Sequence, residues 1–212
     1  YNYARCWRRV SVTRFPGKPP SLFPYRPAVP VLTLTAWQNA ADENGASEDI
    51  MVAVGRVSSS TLPTPFSMLD GTGMKSFTAP SVACGYAGTG NYQCMVAFVP
   101  KFEEHLYVYV QKFNVQTVIG PNGVEYYEVI KDPSGPLATN VRSITDPELW
   151  YNANQWWLAI KWPNQGEHAY VYGSTDGLDY SFAVNISGNT VGGPSVAKDY
   201  DTGEALVGFV RY

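Results

Sequence analysis

Four times along the chain a proline opens the same kind of phrase: a short strand, a turn, a hydrophobic strand and then a third strand. The phrases begin at Pro27-Ala28-Val29, Pro80-Ser81-Val82-Ala83, Pro147-Glu148-Leu149 and Pro194-Ser195-Val196-Ala197. Each leads within about a dozen residues into an apolar run, at 32–37, 95–99, 156–162 and 205–210. A third run, rich in the Val and Tyr that suit a pleated surface, follows in the first three phrases at 49–57, 105–113 and 168–173. A unit of this kind cannot bury its apolar face alone and must stack on its neighbours, so the pattern reads as the blades of a small β-propeller.

The proline starts lie 53, 67 and 47 residues apart, a spread that variable loops accommodate. The last phrase holds only two strand-like runs, while residues 4–13 form a strand pattern with nothing before it. The 19 residues from Pro194 onward and the 26 before Pro27 together make 45, close to one repeat. The expected architecture is therefore all-β with four blades, the fourth built from the N- and C-terminal segments so that each covers the other's sheet edge. Five blades is the alternative, with an extra hairpin at 124–130 in the long second repeat. Nothing resembling a linker divides the 212 residues, so one domain, 1–212, is expected.

Composition supports strands over helices. Charged residues make up 16% against 14% aromatic, with 16 Pro and 19 Gly, where amphipathic helices would need more Lys, Glu and Ala. A net charge of −3 offers no surplus to neutralise a phosphate backbone, and Arg5, Arg8 and Arg9 are too few to reverse it, which argues against nucleic acid as a partner. No stretch approaches the roughly 20 apolar residues of a spanning helix, and the amino terminus lacks the plan of a signal peptide. A start at Tyr1 without Met reads as a chain processed or excised from something longer.

Cys84 and Cys94 flank a Gly-rich nonapeptide between two strand-like runs, where their side chains can meet across a hairpin as a disulfide; two buried thiols are the alternative. Cys6 is left over, either buried or paired with another segment or chain. Asn185-Ile186-Ser187 is an N-glycosylation acceptor sequence. Together these features point to a secreted protein.

Ser174-Thr175-Asp176-Gly177-Leu178-Asp179-Tyr180 follows the run ending Tyr170-Val171-Tyr172 and resembles the Asp-box of sialidase-like propellers and propeller lectins. In that box an Asp carboxylate holds a tight turn over an aromatic anchor, which assigns structural roles to Ser174, Asp176, Gly177 and Tyr180. Leu69-Asp70-Gly71-Thr72-Gly73-Met74-Lys75-Ser76-Phe77 looks like a degenerate second copy. The resemblance spans residues 25–212 and implies a fold rather than an activity. Tyr25-Arg26-Pro27 is similar to the Arg-bearing motif of catalytic sialidase domains, and Glu48-Asp49-Ile50 to the region of their acidic residue. By that likeness Arg26 would hold a substrate carboxylate and Asp49 would act as acid or base. The family's residue between Arg and Pro is missing here, however, and its later Arg pair and Tyr–Glu pair have no counterparts.

Other constellations have plainer readings. Asp42, Glu43, Glu48 and Asp49 crowd one loop, an oxygen-rich set of the kind calcium prefers, but their spacing fits a solvated acidic loop better, and no cofactor is expected. The 199–204 segment reads as a hairpin turn. His105 and His168 occupy similar places in successive repeats, with no third ligand to make a metal site. Trp150, Tyr151, Trp156, Trp157 and Trp162 concentrate aromatic surface in one repeat, and adjacent Trp156 and Trp157 must face opposite sides of a strand. An exposed ring can stack on a sugar, so the expected protein is a secreted propeller that binds carbohydrate through Trp157, Tyr151 and Tyr172. A protein-interaction or structural module of a larger extracellular assembly is the alternative, and a sialidase-like hydrolase using Arg26 and Asp49 the second.

Overall fold

The computed structural model describes residues 10–14, 32–39, 49–56, 64–88, 91–101, 104–162, 168–186, 190–198 and 204–211. Among them lie fifteen strands in antiparallel sheets and no helix. The first sheet runs in chain order through β1 (Val10–Arg14), β2 (Leu32–Gln38), β3 (Ile50–Arg56) and β4 (Phe66–Ser67). The second contains β5 (Ser81–Gly88), β6 (Asn91–Phe98), β7 (Tyr107–Ile119), β8 (Glu125–Lys131) and β9 (Leu137–Arg142). The third is β10 (Glu148–Asn152), β11 (Gln155–Lys161), β12 (Ala169–Ser174) and β13 (Ser181–Ile186), and β14 (Thr190–Lys198) pairs with β15 (Ala205–Arg211) in the fourth.

The apolar runs of the sequence are the second strands β2, β6, β11 and β15. Those of the middle sheets are continuous rather than alternating because these sheets are covered on both faces. From Cys94 to Val99 every residue is buried, with Cys94, Val96 and Phe98 turned to the first sheet and Met95, Ala97 and Val99 to the third. Three cores result. One joins the first and second sheets through Leu34, Ile50, Phe98 and Phe113. Another joins the second and third through Met95, Val110, Trp156 and Leu158. A smaller one around Trp150, Ala159 and Val171 meets Val196 and Val207 of the fourth.

The prolines stand where a missing N–H does no harm. Pro80 and Pro147 immediately precede β5 and β10, and Pro194 lies in the register shift of β14 between Val191 and Ser195. The openings of β5 and β10 are tied together: Ala79 N–H donates to Asp146 Oδ1 at 2.9 Å and Leu149 N–H to Ser81 Oγ at 2.9 Å. Contacts between first strands follow chain order, β1 with β5, β5 with β10 and β10 with β14.

Two expectations are corrected. The amino-terminal strand does not complete the fourth sheet; β1 pairs with β2, in register from Val10 opposite Trp37 to Arg14 opposite Thr33. Pairing with a strand nearby in sequence closes a far shorter loop than reaching β14, so it carries the smaller entropy cost. Nor is the hairpin at 124–130 an extra blade. β8 pairs with the distal half of β7, from Phe113 opposite Lys131 to Ile119 opposite Glu125, while β9 takes the proximal half of the same edge. The 13 residues of β7 are long enough to carry both, so the long second repeat extends one sheet. Pro27-Ala28-Val29, Cys6 and the 199–203 segment lie outside the described residues.

Candidate functional site

Between β12 and β13 the segment 174–180 folds as a carboxylate-held turn. Ser174 Oγ donates to Asp176 Oδ1 at 2.8 Å, and the same oxygen accepts the Leu178 and Asp179 N–H groups at 2.9 and 3.1 Å. Gly177 N–H closes the turn onto Ser174 Oγ at 2.9 Å. These bonds, the Leu178 N–H foremost, hold the Asp176 carboxyl below its ordinary pKa. Tyr180 anchors the turn in the core between the second and third sheets. Burial pushes its phenol far above the usual range, and its hydroxyl has no hydrogen-bond partner among the described residues. The Asn140 amide of β9 pairs with the Tyr180 backbone, accepting its N–H at 2.9 Å and donating to its carbonyl at 3.0 Å. Ser174, Asp176, Gly177 and Tyr180 thus all serve the turn.

The expected second copy at 69–77 stands elsewhere. It follows β4 instead of joining a third strand to a fourth, and the carboxylate that organises this region is Asp49. Asp49 accepts the Ile50 and Leu69 N–H groups at 2.7 and 3.0 Å on Oδ1 and the Ser67 hydroxyl on Oδ2. A carboxylate engaged in this way on both oxygens acts as a clamp on β4, and acid–base chemistry would have to break that clamp. Its supposed partner Arg26 lies outside the described residues, as do Asp42, Glu43 and Glu48 of the acidic loop. Among the described residues no group of three or more His, Cys, Asp or Glu is placed to hold a metal ion.

The three rings expected to stack on a sugar do not converge. Trp157 faces the fourth sheet, stacked on Trp150 with centroids 6.2 Å apart and planes 14° apart. Tyr151 faces the second sheet, against Trp156 at 4.7 Å and so close over Gly85 that an added Cβ there would come within 2.5 Å of the ring. Tyr172 shares the Tyr151 side of the sheet but lies two strands away. Alternation does set Trp156 and Trp157 on opposite faces, and both faces are covered by a neighbouring sheet.

What the fold assembles instead is a strip of aromatic rings on the outer half of the third sheet. Tyr170 lies 6.3 Å from Trp162, 6.3 Å from Tyr172 and 6.1 Å from Phe182, and Tyr172 lies 6.0 Å from Phe182. His168 closes one end, 6.3 Å from Tyr170. Phe182 is 58% exposed on β13, while the others are half-buried. Desolvation, with the Tyr170 hydroxyl beside it, raises the Tyr172 phenol pKa.

A sequence signal for the strip exists in the repeat His-x-Tyr-Val-Tyr, which opens the third run at both His105 and His168. Its two tyrosines, two residues apart, share a face. In the second sheet the first of them, Tyr107, is capped by the chain itself. The Arg142 guanidinium lies 4.6 Å from its ring centroid and donates to its hydroxyl at 3.0 Å. Arg142 is the cross-strand partner of Tyr107, and the corresponding partner of Tyr170 is Asn185, exposed on β13.

The hairpin cystines meet as the sequence suggests. Cys84 and Cys94 are directly opposed in β5 and β6, Cα atoms 4.1 Å apart, and form a disulfide inside the first core. No helix among the described residues is long and apolar enough to cross a membrane. Comparison with known proteins finds no matching family model, curated protein or solved structure.

Proposed function

We propose that this chain is a secreted β-propeller-type binding module that takes a carbohydrate on the strip Trp162–Tyr170–Tyr172–Phe182. The observation that carries the reading is the exposure of Phe182 beside the half-buried Tyr170 and Tyr172, with Tyr170 leading on to Trp162. Rings held by a rigid sheet offer apolar faces to the C–H face of a sugar with little ordering cost on the protein side. The propeller part is supported by four sheets stacked in chain order, each read as a blade, and by the carboxylate-held turn at 174–180. The Cys84–Cys94 disulfide supports a secretory route.

The test is a broad glycan array probed with the oxidised chain, with and without EDTA. Selective binding is expected, and Phe182→Ala should weaken it about tenfold, the loss of one ring contact of about 1.4 kcal/mol. Loss of binding in EDTA would turn the acidic loop at Asp42, Glu43, Glu48 and Asp49 from a solvated surface into a metal site. A protein-interaction module is the second reading, favoured by the outer face of the fourth sheet, where Leu206 and Val210 are 74% and 65% exposed. A blank array from folded protein would remove the carbohydrate reading and leave that one, with Leu206→Asp as its probe.

A further inference from the structure

We propose that Asn185 carries an N-linked glycan whose first sugar lies on Tyr170, so that occupancy of Asn185 controls access to the aromatic strip. The control of access rests on the carbohydrate reading above; the modification and its seat do not. Asn185 opens the acceptor sequence Asn185-Ile186-Ser187 and is exposed near the end of β13, the outer strand of its sheet. Its cross-strand partner is Tyr170, and directly opposed residues of an antiparallel pair project from the same face. The second sheet shows what such a place accommodates: at the matching position the side chain of Arg142 folds over the ring of Tyr107. The Asn185 side chain is too short to cover Tyr170 in the same way, but a sugar on its amide nitrogen extends it by one ring. The disulfide at Cys84 and Cys94 belongs with an oxidising secretory route, where such transfer takes place. β13 is also an edge strand that exposes Phe182 and Val184, and a glycan there would block pairing with another chain.

In the transfer, the Asn185 Nδ2 attacks the anomeric carbon of a lipid-pyrophosphate-linked oligosaccharide. The N–C1 bond forms as the C1–O bond breaks, the lipid pyrophosphate leaves with the electron pair, and the amide gives up one proton to the transferase. Once attached, the sugar is a tethered ligand at an effective concentration in the millimolar range. An external saccharide must displace it from Tyr170.

The experiment compares the wild-type chain with Asn185→Gln, both secreted from a eukaryotic host, and with Ser187→Ala as a second variant that leaves Asn185 in place. Intact mass before and after N-glycanase should show a glycan on the wild type and none on either variant; an unmodified wild type overturns the proposal. Tyrosine nitration, mapped by peptide mass spectrometry, should be slower at Tyr170 in the glycosylated protein than in the variants, whereas equal rates overturn the seat on Tyr170. Saccharides that bind the array should bind Asn185→Gln at least about threefold more tightly than the glycosylated wild type, and equal affinity overturns the control of access. If the unglycosylated variants bind no saccharide, the carbohydrate reading fails and access control with it, while mass and nitration still decide the modification and its seat.

Discussion

Gly177 is the residue on which the turn at 174–180 depends most directly. Its φ of +76° lies in the left-handed region, and an added Cβ would collide with Met95 across the sheet interface. Gly177→Ala should therefore cost about 2–4 kcal/mol, combining backbone strain with overpacking, as read by urea denaturation. Asp176 adds a pH dependence. Its folded pKa lies below the ordinary 3.8, so its contribution is present above that value and is lost as the pH falls through the folded pKa. The stability gap between wild type and Asp176→Asn should be constant from pH 7 to 5 and close below about pH 3.8. The turn residues were legible through a resemblance to a known turn pattern because the hydrogen bonds of a carboxylate-held turn are local, closed within residues 174–179. The role of Asp49 was not, because its partners Ser67 and Leu69 come from a separate stretch of chain.

At the scale of elements, the β5–β6 hairpin is closed twice, by its ladder and by the disulfide between directly opposed Cys84 and Cys94. Removing a crosslink with a sequence separation of 10 restores loop entropy to the unfolded chain. Cys84→Ser with Cys94→Ser should cost about 2.5 kcal/mol, read as the difference between oxidised wild type and the double variant. The positions of β6 and β11 were legible because a strand covered on both faces needs an unbroken apolar run, as at Met95 and Trp156. The split of the β7 edge between β8 and β9 was not. Nothing in the sequences of the two outer strands marks them as sharing one edge, and only the 13-residue length of β7 lets one strand serve two partners.

For the whole molecule, the sheets hold together through apolar cores and a few polar ties between them. The Asn140 amide is the clearest tie, since it satisfies both backbone groups of Tyr180 from the neighbouring sheet. Asn140→Ala should lower stability by about 1–3 kcal/mol, two bonds being lost and buried backbone left to find water. Hydrogen exchange at Tyr180 should rise more than at the β5–β6 ladder, because the bond removed lies at the junction of sheets. Unchanged exchange there would mean that the core around Trp156 holds the junction alone.

The sequence by itself determined the all-β class, the second-strand positions and the strand starts after Pro80 and Pro147; it offered the Cys84–Cys94 disulfide as one of two readings and the turn around Asp176 as a resemblance. The strand positions rest on local spacing and on the apolar run that water imposes on a buried strand. Tertiary structure decided which sheet received the amino-terminal strand and which aromatic rings reached the surface. Alternation places Trp156 and Trp157 on opposite faces, but whether a face is covered depends on the neighbouring sheet. That is why Trp157 and Tyr151 lie between sheets while Phe182, on the outermost strand, stands in the open.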